Sequence, residues 1–135
     1  MSLGIPRSNY FFIEQNFSDI ILEIRNVVGV PYSDKRTIRK VILFHDLSKM
    51  YCTEIINDAG NDIELYWYDW YAHNQQLIIK FHAHYHPNGT PKEITVHDPF
   101  HIQTQYHRTS NQHFRELVQI LEFVRLRQLS LNHIP

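Results

Sequence analysis

The 135 residues include one cysteine, and their 13 Lys and Arg almost cancel their 14 Asp and Glu. Each shortage excludes something. The lone Cys52 rules out an internal disulfide and the cysteine-based zinc motifs, and fits a reducing intracellular compartment. A net charge of −1 with neutral histidines predicts no general attraction to nucleic acid or anionic lipid. The balance turns positive below about pH 6, where free histidine protonates. No apolar run approaches about 18 residues, so no membrane span is expected. The start lacks a basic stretch followed by an apolar one, so no secretion signal is read and a cytoplasmic location is expected. No linker, repeat or low-complexity tract interrupts the chain, and residues 1–135 read as a single domain. A hydrophobic content of 43% with 13% aromatics places it among globular proteins.

The apolar pattern gives the element order. Phe17, Ile20, Ile21, Ile24, Val27 and Val28 recur at helical spacing and predict a first helix over Asn16 to Val28, ended by Gly29 and Pro31. Arg39 to Phe44 and Met50 to Ile56 read as strands about an Asp46-Leu47-Ser48 turn. Glu64 to Ala72 is an aromatic strand, His73-Asn74-Gln75 turns the chain, and Leu77 to Tyr85 follows as a strand. Pro87 to Pro91 breaks that strand, and Glu93 to Val96 adds a short edge strand. A second helix is expected from Ser110 to Arg127, with Thr109 and Gln112 at capping-box spacing. The expected class is α+β: an antiparallel sheet of four to five strands with an N-terminal and a C-terminal helix packed on one face.

Histidine is what the chain has in abundance. Six of its ten histidines, His82, His84, His86, His97, His101 and His107, fall within one short stretch. On a strand the first three share a face with Ile78 and Lys80, while Leu77, Ile79, Phe81, Ala83 and Tyr85 form the core face. The neighbouring strand offers Trp67, Asp69 and Tyr71 on one face and Tyr66, Tyr68 and Trp70 on the other.

Three readings of the histidine run stand open. His82, His84 and His86 can ligate Zn²⁺, Ni²⁺ or Cu²⁺ with help from His97, Asp98 or His101, giving a metal-binding protein or a metal-dependent hydrolase. Alternatively His82 and His86 supply an acid and a base, Lys80 stabilises phosphate charge, and His84, His101 and Asp98 support them in cleaving RNA. The bland reading is a solvated, histidine-rich sheet face. The aromatic strand also suits a non-catalytic interaction domain. Asp98 reads as part of an Asp-Pro turn more readily than as a histidine partner. Lys35, Arg36, Arg39 and Lys40 lie within six residues and are candidate phosphate contacts, although such runs are more often solvated. Cys52 reads as core, not as a nucleophile.

The order of segments resembles the TumE-like toxin family of prokaryotic toxin–antitoxin modules. The comparable stretches are Glu64 to Tyr71, Leu77 to Lys80, His82 to His86, Thr95 to His101 and Arg115 to Val124, within roughly residues 38 to 126. An acidic position of the family falls near His82. The resemblance implies a small growth-inhibiting toxin neutralised by a helix-turn-helix antitoxin encoded beside it. Ribonuclease chemistry is inferred from the histidines and Lys80, not from the resemblance.

Overall fold

The computed structural model describes residues 3–27 and 36–132. In chain order the elements are β1 (Ile5–Pro6), α1 (Tyr10–Asn16), β2 (Ile21–Asn26), β3 (Thr37–Phe44), β4 (Lys49–Ile56), β5 (Asp62–Tyr71), β6 (Leu77–Ala83), α2 (Lys92–Thr95), β7 (Phe100–Gln103), β8 (Arg108–Ser110) and α3 (Leu117–Asn132). The strands form one sheet in the order β2-β3-β4-β5-β6-β7-β8, with β1 paired to β5. All the pairings are antiparallel.

The mixed, antiparallel character agrees with the sequence, but the sheet is larger than four to five strands. Strands β1, β7 and β8 are two to four residues long, too short to show a period. The expected first helix is replaced by α1, a turn and β2. Asn9 caps α1 by accepting from Phe12 N at 3.0 Å, whereas Asn16 lies at its other end. The helical spacing farther on has a specific cause. A register shift between Ile21 and Glu23 adds a residue to β2, so Ile21 and Ile24 both reach the covered side of the sheet three residues apart. The shift leaves Leu22 exposed. Val28, Gly29 and Pro31 lie outside the described residues.

Two further expectations are corrected. Glu93 to Val96 is not an edge strand. Pro91 precedes a single helical turn there, its fixed φ suiting a helix start. The last helix starts at Leu117, not Ser110, because Ser110 belongs to β8. Thr109 and Gln112 form no capping box. Gln119 reaches back instead, its Oε1 accepting from the backbone N–H of Arg115 and of Glu116, both at 3.0 Å.

One face of the sheet carries the core. Ile42, Phe44, Met50, Cys52, Tyr66, Tyr68, Trp70, Phe81 and Ala83 are buried there, together with Ile13 of α1 and Leu117, Ile120, Leu121 and Val124 of α3. Phe123 of α3 sets its ring edge-on to Trp70 at 6.5 Å and to Phe81 at 6.4 Å. Leu77 was expected on this face, yet a register shift between Trp70 and Tyr71 puts Ile78 against the core instead. Cys52 is buried, and burial followed by the charge of Glu54 pushes its thiol well above the usual range, so its core reading holds.

The carboxylate of Glu54 is buried in the same layer. It accepts from Ser8 Oγ at 2.5 Å, from Tyr10 OH at 3.0 Å and from Tyr68 OH. Three hydroxyls therefore supply what a buried carboxylate needs in place of water.

Candidate histidine site

The opposite face of the sheet holds the histidines. The pairings Arg39↔Thr53, Thr53↔Trp67, Trp67↔His82, His82↔His101 and His101↔Ser110 make a continuous row across six strands. A second row places Asp69 beside Lys80, Lys80 beside Gln103 and Gln103 beside Arg108. Lys80 therefore shares the histidine face, in the row next to His82.

His82 Nε2 lies 2.7 Å from Asp69 Oδ1. His86 forms a second pair of the same type, with Nδ1 2.6 Å from Asp98 Oδ1, and its backbone N–H donates to Asp98 Oδ2 at 2.9 Å. Each carboxylate fixes an imidazole tautomer and leaves the other ring nitrogen for chemistry. Asp98 thus partners the histidine twelve residues before it, and not His97, whose Nδ1 meets Ser110 Oγ at 2.9 Å. Partial burial pushes the Asp98 carboxyl upward. The His86 backbone and ring hydrogen bonds and the nearby His86 and His84 charges outweigh it and hold the carboxyl below the usual range.

Between the two pairs stand His84 and His101. The His101 ring is 5.1 Å from that of His82 and 5.4 Å from that of His84, and the His84 and His86 rings are 4.5 Å apart. His101 is 1% exposed, and its Nδ1 has no hydrogen-bond partner among the described residues. Burial first, then the Arg108 charge and the other histidines, press its pKa down to about 3, so it is neutral at physiological pH. His84 is lowered too, by burial and then by His86 and His82. Among the described residues, the metal-competent group is His82, His84 and His101, whose ligand nitrogens lie within 4.8 Å of one another. The His-x-His-x-His trio is therefore divided: His86 goes to Asp98, and His101 comes in from β7.

The cation run is divided as well. Arg39 faces the histidine side, in the row of Trp67 and His82. Lys40 lies on the other face, with Nζ 5.6 Å from the Tyr10 ring and a hydrogen bond to Asn26 Oδ1. Arg36 pairs with Asp58 at 3.2 Å and Glu64 at 3.5 Å. Lys35 lies outside the described residues. His107 is exposed in the turn between β7 and β8.

Sequence reasoning overlooked Asp69, Trp67 and Arg108 as site residues. Asp69 did carry a signal, as a carboxylate set between the aromatic residues Tyr68 and Trp70, but its partner depends on a register that the sequence does not display. Tyr66, Tyr68 and Trp70 are core residues, which removes them from any exposed aromatic platform. Trp67 stays on the histidine side, its ring 6.5 Å from His82 and 6.1 Å from His84. Beyond Asp69 opens a cavity of about 650 Å³ bordered by Lys49, Tyr51, Tyr71 and His73.

A family model described as "Toxin TumE" matches residues 9–128 of this chain. The fold and histidine face thus belong to a toxin of a toxin–antitoxin module, and the chain is a member of the TumE toxin family. Such a toxin has an antitoxin as its partner. No curated protein and no solved structure matches the chain.

Proposed function

We propose that this toxin stops growth by cleaving RNA, using the two histidine–carboxylate pairs as proton-transfer groups. The observation that carries the reading is the pair of short contacts, His82 to Asp69 at 2.7 Å and His86 to Asp98 at 2.6 Å, on neighbouring stretches of the same face. One histidine removes the proton of a ribose 2′-hydroxyl. The 2′-oxygen bonds to phosphorus, the bond from phosphorus to the 5′-oxygen breaks, and the other histidine protonates that leaving oxygen. Lys80 stabilises the charge that builds on the phosphoryl oxygens. His84 and His101 line the space between the pairs.

Two features support RNA as the substrate. The cavity beside Asp69 combines Lys49 with the edge-on pair Tyr51 and Tyr71, whose rings are 5.8 Å apart, a combination suited to a backbone phosphate and an unstacked base. Arg39 extends positive charge along the histidine row. The antitoxin that silences the protein is, on this proposal, a helix-turn-helix protein.

The test expresses wild type, His82→Ala, His86→Ala and Lys80→Ala in a growing bacterial host and assays each purified protein on single-stranded RNA in EDTA. Wild type arrests growth and cleaves without metal, leaving a 2′,3′-cyclic phosphate. Each histidine variant loses roughly 10²- to 10⁴-fold in rate. Equal toxicity of all four proteins excludes this assignment.

A further inference from the structure

The three imidazoles that converge are not the three that alternate in sequence. We infer that His82, His84 and His101 form a site for a divalent transition ion, Zn²⁺ or Ni²⁺, and that its occupancy silences the proton transfer assigned to His82. The second half rests on the RNA-cleaving reading above.

Geometry and donor chemistry together favour a metal at this place. The ligand nitrogens lie within 4.8 Å of one another and come from separate positions, His82 on β6, His84 just past its end and His101 on β7. Zinc needs each imidazole nitrogen at about 2.0–2.1 Å. The remaining closure is a rotation of His82 and His84, both only half-buried. Secondly, Asp69 already holds His82 Nε2 at 2.7 Å, the carboxylate–histidine support that metal-binding imidazoles commonly have. It leaves Nδ1 as the nitrogen for a metal. Thirdly, His101 is buried yet has a ring nitrogen without a partner among the described residues. An all-imidazole donor set selects Zn²⁺, Ni²⁺ or Cu²⁺ over Mg²⁺ and Ca²⁺, which prefer oxygen. Three protein ligands leave a fourth position for water.

The antagonism follows from electron counting at one atom. With Nε2 held by Asp69, His82 exchanges a proton with RNA through Nδ1. A metal on Nδ1 occupies the same lone pair. Metal-bound and proton-transferring His82 are therefore mutually exclusive states.

Calorimetric titration of the purified chain with ZnCl₂ and with NiCl₂ tests the site. Wild type should bind one ion with micromolar or tighter affinity. His84→Ala and His101→Gln should each weaken binding at least tenfold, and Asp69→Asn about 10- to 100-fold. His86→Ala should bind as wild type does, since His86 is held by Asp98 outside the trio. Circular dichroism confirms that each variant is folded, and His84→Ala stands in should the buried His101 variant fail to fold. Equal affinity of wild type and His84→Ala overturns the site, as does a tenfold loss in His86→Ala. RNA cleavage should fall as Zn²⁺ saturates the site and return with EDTA. Cleavage abolished by EDTA and restored by Zn²⁺ overturns the antagonism and makes the ion a working cofactor. Absence of cleavage both with and without EDTA sinks the RNA-cleaving reading, and the antagonism with it. Calorimetry then decides the metal site alone.

Discussion

His101 has two properties that a strand-facing histidine seldom combines: its ring is almost wholly buried, and it stays neutral far below the ordinary histidine range. An unfolded chain takes up the proton near pH 6.5, whereas the folded one resists until about pH 3. In that interval the unfolded state binds more protons, so stability is full above about pH 6.5 and is lost as pH falls toward 3. This group contributes a slope of up to about 1.4 kcal/mol per pH unit. Urea denaturation of wild type and His101→Gln at pH 7.5, 6.0 and 5.0 should show a shallower decline in the variant. Glu54 makes a second prediction at this scale. Glu54→Gln keeps the shape but weakens three charge-assisted acceptor contacts from Ser8, Tyr10 and Tyr68. It should cost about 1–3 kcal/mol in the same denaturation experiment. The histidines, Lys80 and the burial of Cys52 were legible from residue type and alternation. The burial of Glu54 was not, because a lone carboxylate in a strand says nothing about the hydroxyls of Ser8, Tyr10 and Tyr68 that the fold brings to it.

At the scale of elements, α3 is fastened to the turn after α1 through one side chain. The Arg125 guanidinium donates to Asp19 at 2.8 and 2.9 Å, to Glu122 at 3.0 Å and to the backbone oxygen of Asn16 at 2.8 Å, and it lies over the Phe17 ring at 4.4 Å. The hydrogen bond from Arg125, with its charge, holds the Asp19 carboxyl below its ordinary range against slight burial. Arg125→Ala should cost about 1–2 kcal/mol, a figure that allows for solvent screening at the exposed Asp19. Arg125→Lys should recover less than half of it, since an ammonium can neither fork nor stack in this way. Thermal melts of the three proteins check the order. Strands β3 to β6 were readable because each is long and bounded by turn residues. The shift in β2 made a strand imitate a helix, and β8 took up the residues about Thr109 that looked like a helix cap. Both errors arise where the backbone departs from a regular ladder, which residue spacing alone does not reveal.

For the molecule as a whole, the sheet divides labour between its faces, with the core on one and the histidine cluster on the other. The division predicts opposite fates for adjacent cations. Arg39→Ala should weaken affinity for single-stranded RNA and reduce the slope of log affinity against log salt by about 0.7. Lys40→Ala, on the covered face, should leave both unchanged. Filter binding over a salt series distinguishes them, and equal effects would contradict the proposed RNA face. Among the described residues no helix is long and apolar enough to cross a membrane.

The strand order has a consequence for synthesis. From β2 to β8 each strand pairs with its neighbours along the chain, so the sheet can be laid down hairpin by hairpin as the polypeptide leaves the ribosome. Asp69 emerges with β5 and His82 with β6, but His101 waits for β7. A nascent chain stalled before Phe100 therefore lacks His101 and has no completed site. The metal site proposed above is therefore complete only once β7 has paired with β6.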